Sequence, residues 1–151
     1  MQRRKFLSLG VAAVAASMVP ASLSAVDFRS TTPKAWEEEK SVDAIEDLFG
    51  SIDGAIEGKI KMKAPKLAEN GGSIPINIKS KVDFESVAIF QDANPRSAVA
   101  VFTVPVGGIV NYDLRIKMRK TSDITIVAKG RDGKIYKHVQ NVEVSIGGCG
   151  A

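Results

Sequence analysis

From Lys59 to Ile146 hydrophobic residues return at every second position, in short runs: Ile60 and Met62; Ile74, Ile76 and Ile78; Val99 and Val101; Leu114, Ile116 and Met118; Ile124 and Ile126; Ile135; and finally Val142, Val144 and Ile146. Successive side chains of a strand point to opposite faces, so a period of two buries one face and leaves the other wet. Turn residues separate the runs. Asn70-Gly71-Gly72 marks one turn, and Asp132-Gly133 between two adjacent runs is a hairpin signal. The lysines at 59, 61, 63, 79 and 81 fall on the polar side of the alternation, where they form a solvated face that discourages edge-to-edge aggregation.

A different period precedes the strands. Thr32-Pro33 offers a helix start, Glu37, Glu38 and Glu39 stand in the early turns where the helix dipole favours carboxylates, and Gly50 is a stop. Val42, Ile45, Leu48 and Phe49 recur at helical spacing between them, which predicts one amphipathic helix over residues 34 to 49, with Trp36 as a packing anchor near its start. One N-terminal helix followed by about seven short strands is the pattern of a mainly β protein, an immunoglobulin-like antiparallel β-sandwich, preferred over a barrel.

The chain has 151 residues, enough for one ordinary domain. It opens on Arg3-Arg4-Lys5-Phe6-Leu7, continues through a mild alanine-rich apolar stretch to Val19 and Pro20, and then offers small residues for a peptidase at Ala21, Ser22, Ser24 and Ala25. That order of parts reads as a twin-arginine signal peptide over residues 1–25, giving a periplasmic address with no membrane in the mature form. Without the leader, eighteen basic side chains face seventeen acidic ones. The near-neutral balance, with lysines alternating along strands instead of clustering, sets nucleic-acid binding aside.

Residues able to carry chemistry are few. There is no nucleophile elbow, phosphate-cradling loop or paired-cysteine motif, and no set of ligands for a metal. His138, the single histidine, lies in a strand-like stretch and reads as structural or exposed. Neither catalytic residues nor a bound cofactor are predicted.

Everything unusual is in the tail Val144-Ser145-Ile146-Gly147-Gly148-Cys149-Gly150-Ala151, which holds the only cysteine. A lone cysteine is often a small buried hydrophobe, but glycines on both sides offer it no packing. Gly147 and Gly148 let the backbone turn freely and carry the thiol roughly 10 Å past Ile146. With no side chains at 147, 148 and 150, the arm is slim enough for a narrow site on another protein. A free thiol is only a minor fraction thiolate at neutral pH, so activation falls to partners. The tail therefore reads as a flexible arm, residues 147–151, carrying cargo covalently on Cys149 from a carrier domain at 26–146. Two other readings stay open: an exported binding or scaffold module whose tail thiol makes an intermolecular disulfide, and a thiol-dependent enzyme.

The chain also resembles a known family, SoxY, the sulfur-carrying subunit of the periplasmic Sox thiosulfate-oxidation system. Ala64-Pro65-Lys66-Leu67-Ala68-Glu69-Asn70-Gly71-Gly72-Ser73-Ile74-Pro75 is similar to the family's P-x-x-A-E-N-G-x-x-V-P segment. Asn94-Pro95, Ala98 to Thr103, Leu114-Arg115-Ile116 and Asp132-Gly133-Lys134 follow in the family's order. The end is similar to its Gly-Gly-Cys-Gly-Gly close, with Ala151 where the last glycine stands. The resemblance implies a second sandwich subunit of SoxZ type as partner, in a heterodimer or heterotetramer. It implies transient docking to SoxXA-, SoxB- and, where present, SoxCD-type enzymes, and thiosulfonate and persulfide species on Cys149.

Overall fold

A computed structural model of the protein describes residues 25–145; the predicted leader, and Ile146 with the arm beyond it, lie outside them. Among the described residues the alternating runs fold into two sheets packed face to face. β1 (Ile60–Lys63), β3 (Ile74–Ser80) and β6 (Val110–Ile116) form a three-stranded antiparallel sheet in the order β1-β3-β6. β2 (Leu67–Ala68), β4 (Phe84–Gln91), β5 (Ala98–Thr103), β7 (Ser122–Gly130) and β8 (Ile135–Val144) form a five-stranded sheet in the order β2-β8-β7-β4-β5. Pairing sets Ile60 against Ser80, Met62 against Ile78, Ile78 against Tyr112 and Ile74 against Ile116, so their side chains share the inner face. They meet Val87, Ile89, Ile124, Ile126, Tyr136 and Val142 of the larger sheet in one buried core.

The sandwich differs from the sequence expectation in three places. β4 falls outside every predicted run, because Phe84 and Ser86 to Gln91 are buried on both faces and show no alternation. β2 pairs with β8 in parallel, as does the isolated bridge from Ile56 to Tyr136, while the other strand pairs are antiparallel. Met118 continues the alternation of β6 but sits just past its end, fully buried, its N–H donating to Gly71 O at 2.9 Å.

The predicted helix is broken. A single turn, α1 (Phe28–Thr31), is capped by Asp27, whose Oδ1 accepts from Arg29 N at 3.0 Å. A 3-10 turn follows at Pro33–Trp36, and the longer helix α2 spans Ser41–Phe49, stopping at Gly50 with φ 74°. The gap at 37–40 has a cause. Glu38 O accepts from both Ser97 N and Ser97 Oγ at 3.0 Å, and Glu37 O accepts from Arg96 Nη1, so these carbonyls are held by the β4–β5 loop. Asp92 then caps α2 from the same loop, its Oδ1 accepting from Ser41 N at 2.6 Å and its Oδ2 from Ser41 Oγ at 2.8 Å.

The buried face of α2 is Ala44 and Ile45 with Leu48 and Phe49, packed on Ala88, Phe90 and Val127. Val42, predicted on that face, is 61% exposed. Trp36 does anchor the N-terminal segment: its Nε1 donates to Phe28 O at 3.1 Å, and the Arg29 guanidinium stacks 4.1 Å from its ring centre. The molecule thus has three layers, helix on five-stranded sheet on three-stranded sheet.

Candidate functional site

Cys149 and the predicted arm residues Gly147, Gly148 and Gly150 lie outside the described residues, so what the fold presents is the end of the described chain, at Ser145. That end lies just past β8, and hydrogen bonds fasten it on two sides. On one side Val144 N donates to Thr121 Oγ1 at 2.9 Å. On the other, Glu143 N donates to Lys66 O at 2.9 Å, Ser145 N to Ala68 O at 3.0 Å and Ser145 Oγ to Glu69 O at 3.1 Å. β2 is therefore a short parallel clasp on the end of β8 and on Ser145.

The clasp is built by the segment 64–75. Ala68 is its buried peg, in the main core, while Leu67 points outward. Asn70 then reverses the chain: its Oδ1 accepts from Gly72 N at 2.9 Å and its carbonyl from Ser73 N at 3.2 Å, a side-chain turn that explains asparagine there. Gly71 O accepts Met118 N, tying the same turn to the segment after β6. The carbonyls of 66, 68, 69, 70 and 71 are all engaged, three of them with β8 or Ser145. Spacing alone marked Asn70-Gly71-Gly72 as a turn; that the turn closes a clasp on the chain end is visible only in the fold.

His138 lies elsewhere, half-buried in the middle of β8, with Nε2 buried and without a hydrogen-bond partner among the described residues. It belongs to no cluster: among the described residues no three His, Cys, Asp or Glu side chains converge as metal ligands. No described helix is long and apolar enough to cross a membrane.

The family model of the sulfur oxidation protein SoxY matches residues 45–149, from α2 through both sheets to the cysteine. The chain belongs to the SoxY family. In structure it is similar to the sulfur carrier protein SoxY from Chlorobium limicola f thiosulfatophilum, with 34% identity and a TM-score of 0.62 over 70% of this chain and 96% of that one. Its SoxY sandwich also superposes on the superoxide reductase (neelaredoxin) of Ignicoccus hospitalis with a TM-score of 0.52, over 58% of this chain and 81% of the reductase. At 8% identity that likeness is one of fold alone. No curated protein matches the chain.

Proposed function

We propose that this protein is a non-catalytic covalent carrier of sulfur intermediates in thiosulfate oxidation, holding them on Cys149 and presenting them to partner enzymes. The observation that carries this reading is the family match, which runs to residue 149 and ends on the only cysteine of the chain. The clasp on β8 supports it. A swinging arm needs a fixed pivot, and the last residues before the glycines are held by four hydrogen bonds.

The chemistry is distributed among partners. The sulfane sulfur of thiosulfate forms an S–S bond with Cys149 as the thiol gives up its proton, and two electrons pass to a haem enzyme of SoxXA type. Water then attacks the terminal sulfonate sulfur of the adduct in a dimetal hydrolase of SoxB type, and sulfate leaves. A persulfide stays on Cys149, to be oxidised further by a SoxCD-type enzyme or removed by another route. A SoxZ-like sandwich is the permanent partner, and the leader sends the chain to the periplasm by the twin-arginine route.

Intact-mass spectrometry tests the reading. After incubation with thiosulfate and the coupling enzyme the protein should gain one thiosulfate group, and after the hydrolase retain one extra sulfur atom. Cys149→Ser should show neither adduct while melting at the wild-type temperature. Protein that shows only a disulfide-linked dimer, or no adduct, refutes the carrier reading and favours a scaffold.

A further inference from the structure

We propose that the outer face of the three-stranded sheet is a docking surface for acidic patches on the partner enzymes; their identity rests on the carrier reading, the surface does not. Strand register places the lysines of the alternation together. Lys61 stands directly opposite Lys79, and Lys63 opposite Asn77, which in turn faces Asp113. Arg115 is next along β6, and Lys59 and Lys81 extend the outward side at the far end. Six cations thus share one face with Asp113, which is taken by Asn77 Nδ2 at 2.7 Å, and with Asp83 at its Lys81 end, which is paired with Arg131 at 3.0 Å.

This is not how a sheet face is arranged for stability. Like charges directly opposite on neighbouring strands repel, and Lys61 with Lys79 is such a pair. Among the described residues the ion pairs use Lys34, Lys129, Arg131 and Lys137, and none involves these six cations. The opposite side of the molecule has the reverse sign. Glu37, Glu38, Glu39, Asp43, Glu46 and Asp47 crowd on or beside α2, against Lys34 and Lys40. The described residues, nearly neutral in sum, therefore carry their charge as two opposed faces, which orients an encounter with an acidic partner and speeds it.

The face is also joined to an apolar anchor and to the arm. A shallow groove between Lys59, Lys61, Lys79 and Lys81 reaches Ile109, which is 81% exposed in the β5–β6 connection beside Val106, 84% exposed. Apolar anchors beside a charged field, with the Asn77, Asn111 and Asp113 network offering directed donors and acceptors, suit a protein surface. At the other end, Lys63 leads through Ala64 and Pro65 into the clasp, and Arg115 Nη1 donates to Ser73 Oγ at 3.3 Å. Cys149 is four residues past Ser145, a span of at most about 14 Å. An enzyme seated on this face has the root of the arm at its edge.

Binding measured on the full mature chain with Cys149→Ser, in complex with its sandwich partner, tests the surface without cargo. Probes are the isolated coupling haem enzyme, the isolated hydrolase and phosphatidylglycerol vesicles. Binding to the enzymes should weaken as salt rises, and Lys61→Glu with Lys79→Glu should weaken it about tenfold or more at low ionic strength. Glu38→Gln with Asp43→Asn on the opposite face should leave it unchanged. The proposal is overturned if the unreversed protein binds neither enzyme, if charge reversal has no effect, or if the face binds vesicles instead. Loading of Cys149 at saturating enzyme in the chain with its cysteine judges the carrier reading separately. Cargo without an effect of charge reversal removes only the surface, and weakened binding without cargo removes only the carrier.

Discussion

Asp132 shows how one side chain can set a hairpin and make it sensitive to acid. Its Oδ1 accepts from Lys134 N at 2.9 Å and its Oδ2 from Tyr136 Oη at 2.8 Å, while Gly133 takes φ 80° to close the turn. Gly130 leaves the space: a Cβ there would lie 2.3 Å from the Asp132 carboxylate. The Lys134 N–H first, and the Tyr136 hydroxyl second, hold the Asp132 carboxyl below its ordinary 3.8. A lowered folded pKa contributes stability above the unfolded value, and that contribution is lost as pH falls through the folded one. Asp132→Asn should therefore be less stable than wild type at neutral pH, and the gap in urea midpoint should close as pH falls below about 4. Parallel midpoint curves down to about pH 2 would show that the carboxylate charge contributes nothing to the turn. The hairpin itself was legible, since Asp-Gly between two apolar runs has few other uses. Its link to the buried Tyr136 was not, because that bond depends on β8 returning beside β7.

At the scale of elements, legibility followed solvent exposure. β1, β3, β6 and much of β7 and β8 have one wet face, so burial wrote a period of two into their sequences. β4 is covered by the small sheet on one side and by α2 on the other, and two dry faces erase the period. The break between the 3-10 turn and α2 was hidden for another reason. Its determinants, Asp92, Arg96 and Ser97, lie some fifty residues downstream of the segment they hold. The clasp combines both difficulties: β2 has two residues, too few for any period, and its partner is the far end of the chain. Ala68 is the point at which to test it. Ala68→Leu would overpack a buried site at a cost of about 1–3 kcal/mol and push β2 from β8. Hydrogen exchange at the Glu143 and Ser145 amides should then speed about tenfold or more, while Val127 and Ala128 in the central strand keep their protection. Loss spread evenly over the sheet would mean that β2 is part of the general core and not a local fastening of the end of β8.

For the whole molecule the layer order decides what each part is for. Where β4 crosses the five-stranded sheet beside the middle of β7 both faces are apolar, so the small sheet alone leaves one side uncovered: Ala88, Phe90 and Val127 are fully buried only because Ala44, Ile45, Leu48 and Phe49 lie over them, with the Phe49 ring edge-on to Phe90 at 6.5 Å. The family match begins at Ile45, inside this cover. The helix thus completes the sandwich, while the opposite outer face is left free to be polar and strongly basic. Removing residues 26–50 should uncover a contiguous apolar surface on strands that are otherwise intact, and such surfaces recruit a second copy. The expected result in sedimentation velocity is a mature chain of one concentration-independent size and a shortened chain whose weight-average mass rises with concentration. Ile45→Ala, which thins the cover without stripping it, should remain the size of the mature chain and lose about 2–5 kcal/mol in urea unfolding. A shortened chain that stays monomeric and as stable as the mature one would mean that the sheet needs no cover, and would leave the both-sides burial of β4 without a cause.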